Sequence, residues 1–180
     1  NKKGTISQNT ASTYFSILKA GLKQAFVDEY LTVDIGAKVK GITNIEKPRV
    51  ALSMNEVQML VDTPCKDDVL KRAFLFSILT GLRHSDIQTL KWKQIQQTSK
   101  GTWQAVIVQQ KTKRPDYKPV IQQALQLCGE RPNDEETLVF EGLTDASWIS
   151  RPLKVWIEAS GIKKHITFHQ SRHSFASLLL

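Results

Sequence analysis

Three short clusters in this 180-residue chain carry side chains suited to a phosphate. The first is Thr80-Gly81-Leu82-Arg83-His84-Ser85-Asp86. Arg83 falls in a turn between an apolar segment and a short polar one. Such a turn can aim a guanidinium at an anion while the scaffold behind it stays rigid. Asp86 would pair with Arg83 or buttress the turn. The plain alternative is an arginine that caps the carbonyls of the preceding helix. The second cluster, Lys111-Thr112-Lys113-Arg114, reads as a hairpin tip. A basic tip suits a nucleic-acid groove, and one ammonium there could protonate a leaving oxygen. A merely solvated turn is the competing reading.

The third cluster is His169-Gln170-Ser171-Arg172-His173. Positions i and i+3 share a helix face, so His169 and Arg172 would point the same way. If Thr167 caps that helix, His169 lies in its first turn, where free N–H groups and the helix dipole favour an anion. His165, His169 and His173 have i, i+4, i+8 spacing and could instead ligate zinc. However, His165 precedes the expected cap and no acidic fourth ligand is near, so no metal is expected. Together the clusters supply two arginines, a lysine and a histidine, with no carboxylate pair for Mg²⁺. That set suits phosphoryl transfer without metal or cofactor. Arginines would neutralise the charge developing on phosphorus, while Lys and His move protons.

The elements that must position these residues are mostly helical. Residues 9 to 31 form an amphipathic pattern (Phe15, Leu18, Leu22, Ala25, Phe26), with Asn9 or Thr10 as cap. One helix cannot bury its apolar face alone, so it reads as what remains of an N-terminal helical domain. Gly36, Gly41 and Pro48 break the pattern from about Thr32 to Ala51, and Lys38, Lys40, Lys47 and Arg49 are interspersed, as in a linker. Ser53-Met54-Asn55-Glu56 has capping-box form and opens a helix to about Asp62. A second helix, about Asp67 to Thr80, is apolar almost all round and should be central; Gly81 ends it. Ser85 is expected to cap a short helix from Asp86 to Lys91. Residues 103 to 110 are the clearest strand. Tyr117 to Ile121 return, and Trp92 to Gln97 offer a third strand. Helices are predicted over 122–128, over Trp148 to Ser160, and from near Thr167. The fold class is mainly α with one small antiparallel β-sheet, divided 1–47 and 48–180.

Composition bounds the function. With 41% apolar and 23% charged residues the chain is globular rather than disordered. Lys plus Arg number 25 against 17 Asp plus Glu, a net charge of +8 that predicts an anionic partner, foremost nucleic acid. Cys65 and Cys128 make no CxxC pair, which argues against a disulfide framework and for a reducing compartment, here the cytoplasm. No apolar run is long enough to span a membrane. The start lacks a signal core and an initiator Met, and the end stops inside an apolar helical pattern, so both ends read as cut.

The order and wording of the clusters resemble the tyrosine recombinase (phage integrase) family, over nearly the whole chain. Ile78-Leu79-Thr80-Gly81-Leu82-Arg83-His84-Ser85-Asp86 is similar to its LLTGLRxSE-like motif. Lys111-Thr112 is similar to its hairpin lysine, and His169-Gln170-Ser171-Arg172-His173-Ser174-Phe175-Ala176 to its HxLRHTFA-type helix. Leu52 to Val57 resembles the opening of its catalytic domain, and the upstream helix and linker resemble the end of its helical core-binding domain, as in integrases of bacterial mobile elements such as transposons. The resemblance implies that Arg83 and Arg172 clamp the scissile phosphate, His169 assists proton transfer, and Lys111 protonates the leaving 5′-oxygen, with Lys113 the second choice. Asp86 matches the supporting acidic position. Lys38, Lys40, Lys113, Arg114 and His173 would meet DNA. One departure is Gln170-Ser171, where the family often has an apolar residue before the arginine.

The family's nucleophilic tyrosine lies several helical turns beyond the second arginine. Tyr14, Tyr30 and Tyr117 are all misplaced for it. The resemblance therefore implies a parent that cleaves and rejoins double-stranded DNA through a 3′-phosphotyrosyl link, tetrameric on DNA. This chain would bind DNA without cleaving it, as a monomer in solution. Three alternatives stay open: a non-catalytic DNA-binding relative, a metal-free ribonuclease using His169 and Lys111, and a type IB topoisomerase of the same chemistry.

Overall fold

A computed structural model describes residues 6–46, 48–108 and 114–179. The hairpin-tip residues Lys111 and Lys113 lie outside the described residues. The chain divides into two compact units, Asn1–Pro48 and Arg49–Leu180.

In the first unit, α1 (Gln8–Val27) is followed by the single turn α2 (Ile35–Lys38). The cap of α1 is Ser7, whose hydroxyl accepts from the Thr10 amide, and not Asn9 or Thr10. Asn9 is engaged elsewhere. Its side-chain amide donates to the Ile45 carbonyl and its oxygen accepts the Ile45 amide, at 2.9 and 2.8 Å. Gln8, Ser12 and Lys19 donate to the carbonyls of Thr43, Ile42 and Val39. Residues 39–45, read from sequence as linker, are thus held along α1 by polar bonds. Apolar burial contributes little: Ser12 is the buried residue of α1, while Tyr14, Ile17 and Leu18 stay exposed.

The second unit is built around α4 (Asp68–Thr80), which follows α3 (Met54–Asp62). The Ser53–Glu56 capping box of α3 is formed in both directions. Asp67 caps α4, and Leu70, Ala73, Phe74, Leu75, Phe76 and Ile78 on it are all buried. Phe74 meets Trp156 and Phe168 edge-on, with centroids 5.8 and 5.4 Å apart. After α5 (His84–Gln88), a 3-10 turn at Trp92–Gln94 leads into β1 (Ile95–Gln97), β2 (Trp103–Val108) and β3 (Pro115–Val120). The sheet is antiparallel in the order β1-β2-β3, with Val108 opposite Pro115 at the hairpin end. The expected third strand is therefore shorter than its sequence stretch, because Trp92 to Gln94 curl first. Then come α6 (Gln122–Cys128), α7 (Ala146–Ala159) and α8 (Gln170–Leu178). The fold is helix-rich with one small antiparallel sheet, as the sequence predicts.

Among the described residues no helix is long and apolar enough to cross a membrane. Cys65 and Cys128 are free thiols, and burial pushes the Cys128 thiol up to about 12.

Candidate phosphate-binding site

The site forms where the end of α4 meets the start of α8. Gly81 ends α4 with φ 68°, a left-handed conformation natural to glycine. Space sets a second requirement there. A Cβ at position 81 would lie 2.6 Å from Cδ1 of Phe175 on α8. The missing side chain lets the turn that carries Arg83 approach the helix that carries Arg172. Ser174 on α8 ties in the segment leading to α3, accepting the Leu52 amide at 2.9 Å and donating to the Gln170 carbonyl.

Arg83 is the N-cap residue of α5 and its side chain is largely exposed. The short helix starts earlier than predicted, at His84, and ends at Gln88; Ser85 sits in its first turn rather than at its cap. The reason lies in Asp86, whose carboxylate accepts the Arg83 amide at 3.3 Å. The same carboxylate lies 3.8 Å from the Arg83 guanidinium. Asp86 therefore both buttresses the turn and pairs with the arginine. The Gly81 amide donates to the Ser77 carbonyl at the end of α4, and among the described residues the Arg83 guanidinium faces Asp86 and makes no hydrogen bond to a carbonyl of that helix, unlike the capping arginine of the plain alternative.

Arg172 is partly buried in the first turn of α8. Burial lowers its pKa, and the positive charge of Arg83 lowers it further, while Asp86 and Asp116 oppose the shift. The two guanidiniums therefore feel each other. Like charges held together in this way favour an anion between them. Asp116, on β3, was not singled out in the sequence. The alternation along Pro115–Val120 was the available signal, but nothing local tied that strand to α8.

His169 stands just before α8, not inside its first turn. The amides of Gln170, Ser171 and Arg172 donate to the carbonyls of Thr167, Phe168 and His169. Thr167 and Gln170 close the turn, the Thr167 amide and hydroxyl both meeting the Gln170 side-chain oxygen. These N–H groups are already engaged, so an anion here would rely on side chains rather than on a free helix end. His169 and His173 meet edge-on at 5.0 Å. Burial lowers the His173 pKa, and His169, Arg49 and Arg172 add to the shift. Arg49 also escaped the sequence reading as a neighbour of this group, since it lies more than a hundred residues away along the chain.

A cleft of about 390 Å³ opens beside these groups, lined by Arg83, His84, Ser150, Thr167, His169 and Arg172 among others. His84 packs edge-on against Phe168 at 4.9 Å, and its Nε2 donates to the Thr144 carbonyl at 3.1 Å. Arg83, Asp86, His169 and Arg172 thus come together. Lys111 and Lys113 lie outside the described residues, and Lys38 and Lys40 are exposed residues of the first unit.

The phage integrase family model matches residues 51–180. The chain belongs to the phage integrase family. No curated protein matches the chain by sequence. Its fold is similar to that of a lambda integrase dimer bound to a core site (TM-score 0.70, 21% identity, 95% of this chain and 66% of that one). It is also similar to the Tn1549 transposon integrase in complex with circular intermediate DNA (0.69, 17%, 99% and 68%) and to XerA recombinase (0.56, 19%, 99% and 71%). The chain spans roughly half to two thirds of the lambda integrase chains it matches.

Proposed function

We propose that this chain carries the phosphate-binding part of a site-specific DNA recombinase. In the parent protein, DNA strands would be cut and rejoined through a 3′-phosphotyrosyl intermediate. The observation that carries the reading is that Arg83 and Arg172, from the two sides of the α4–α8 junction, line the same cleft. Two such cations would hold the scissile phosphate and offset the charge that grows on it in the transition state. His169, at the lip of the same cleft, would assist proton transfer, and Lys111 would protonate the leaving 5′-oxygen. Asp86 would keep Arg83 aimed. Lys38, Lys40, Lys113, Arg114 and His173 would contact the DNA backbone. Residues 1–47 would belong to a core-binding domain and its linker, and 48–180 to a catalytic domain acting in the bacterial cytoplasm.

Tyr117 lies exposed on β3 and does not line the cleft. This supports a nucleophile supplied from outside these 180 residues, so the chain as it stands would bind DNA without cutting it. The neighbours bound to DNA, among them a lambda integrase tetramer on a Holliday junction, agree with duplex DNA as partner and with a tetrameric parent.

Fluorescence anisotropy with duplex DNA tests the reading. Affinity should fall steeply with salt, because phosphate contacts release counterions. Arg172→Ala should weaken binding and lower the slope of log K against log salt by about one. A flat salt dependence would sink the proposal. Cleavage of RNA by this chain would favour the ribonuclease reading instead.

A further inference from the structure

Ser171 stands directly before Arg172, where the family often has an apolar residue. It is fully buried, as is Ser77 on α4. The two hydroxyl oxygens lie 2.5 Å apart. Ser77 Oγ is also 2.8 Å from the Leu82 carbonyl oxygen, and Ser171 Oγ is 2.6 Å from that of Phe168. Two hydroxyl protons thus face three contacts. Phe168 already accepts the Ser171 amide at 3.1 Å. Among the described residues, no other donor reaches the buried Leu82 carbonyl. A buried carbonyl without a donor is costly. The arrangement that orphans nothing has Ser171 donating to Ser77, and Ser77 donating to Leu82.

Leu82 immediately precedes Arg83, and Ser171 immediately precedes Arg172. The relay therefore joins the backbone before one arginine to the residue before the other, through a largely apolar core in which Thr80 and Ser174 bond elsewhere, to Phe76, Leu52 and Gln170. Apolar contact is non-directional, whereas a hydrogen bond restricts both distance and angle. We propose that Ser77 and Ser171 are positioning residues, a buried hydroxyl relay that sets the spacing of the two arginines. The close approach at Gly81 brings the segments together, and the relay sets their register. This inference rests on the reading of Arg83 and Arg172 as a phosphate clamp.

The test is duplex-DNA binding across a salt series, with thermal melts alongside, for the 180-residue chain and for Ser77→Ala, Ser171→Ala, Arg172→Ala and the Ser171→Ala/Arg172→Ala double variant. Ser171→Ala is expected to weaken binding roughly three- to tenfold, the size of one neutral hydrogen bond. It should also lower the salt slope, and its effect should largely vanish when Arg172 is already Ala. A shift in melting temperature with unchanged binding would overturn the relay, as would a full additive loss in the Arg172→Ala background. Ser77→Ala strips the buried Leu82 carbonyl of its donor and could fail to fold. Ser171→Ala leaves both carbonyls served and carries the test by itself. If Arg172→Ala binds DNA as the parent chain does, the clamp reading falls and the relay with it. If Arg172→Ala weakens binding and Ser171→Ala does not, the relay alone is overturned.

Discussion

Arg172 shows how a residue's neighbours decide its chemistry. Partial burial and the nearby Arg83 make its charge costly to keep, and a bound phosphate would remove that cost. Gly81 makes the pairing possible, for reasons of both angle and space. Gly81→Ala should therefore destabilise the second unit by about 2–4 kcal/mol, combining left-handed strain with overlap on the Phe175 ring. Denaturant unfolding would measure it, and Phe175→Leu in the same chain should recover only the steric part. Glu56 gives the clearest pH signature. Burial pushes its pKa up, but bonds from Lys164 and Ser53 outweigh that and leave it below the usual 4.5. A lowered carboxylate pKa adds stability that is complete above the unfolded value and is lost as pH falls through the folded one. Melting temperature should drop as pH falls below about 4.5, and Glu56→Gln should flatten that part of the curve.

Helix ends are where local sequence succeeded and failed most visibly. The α3 capping box was legible because Ser53 and Glu56 need only each other. Ser53→Ala should cost about 1 kcal/mol in denaturant unfolding. The α1 and α5 caps were misread because a better partner competed. Asn9 is drawn to Ile45, 36 residues away, leaving Ser7 to cap, while Asp86 reaches back to the Arg83 amide and starts α5 early. Asn9→Ala should release the Ile45 amide, visible as faster hydrogen exchange there with little change across the middle of α1. At α8 the tight turn from Thr167 to His169 uses up the amides that a plain helix start would leave free. That moves the burden of anion binding onto side chains.

On the scale of the whole second unit, one aromatic cluster supports both core and site. Phe74 touches Trp156 and Phe168, and Phe168 touches His84 beside Arg83. Phe74→Ala should cost about 3–5 kcal/mol in unfolding experiments and weaken DNA binding as well, because the cleft wall rests on the same ring. Motif and periodicity alone determined much: the helix-rich class with a small sheet, the central place of α4, the strand at Trp103–Val108, and the family. These follow from residues near one another in the chain, where spacing translates directly into a helix face or a strand edge. The sequence also named Arg83, Asp86, His169 and Arg172, because motif order survives without coordinates. What only the tertiary structure decided was their company. Asp116 within electrostatic reach of Arg172, Arg49 within reach of His173, and Ser77 against Ser171 bring together residues tens to more than a hundred positions apart. Such pairs are made by packing α4, α8 and β3 together, and no local pattern encodes which residues that packing will bring face to face.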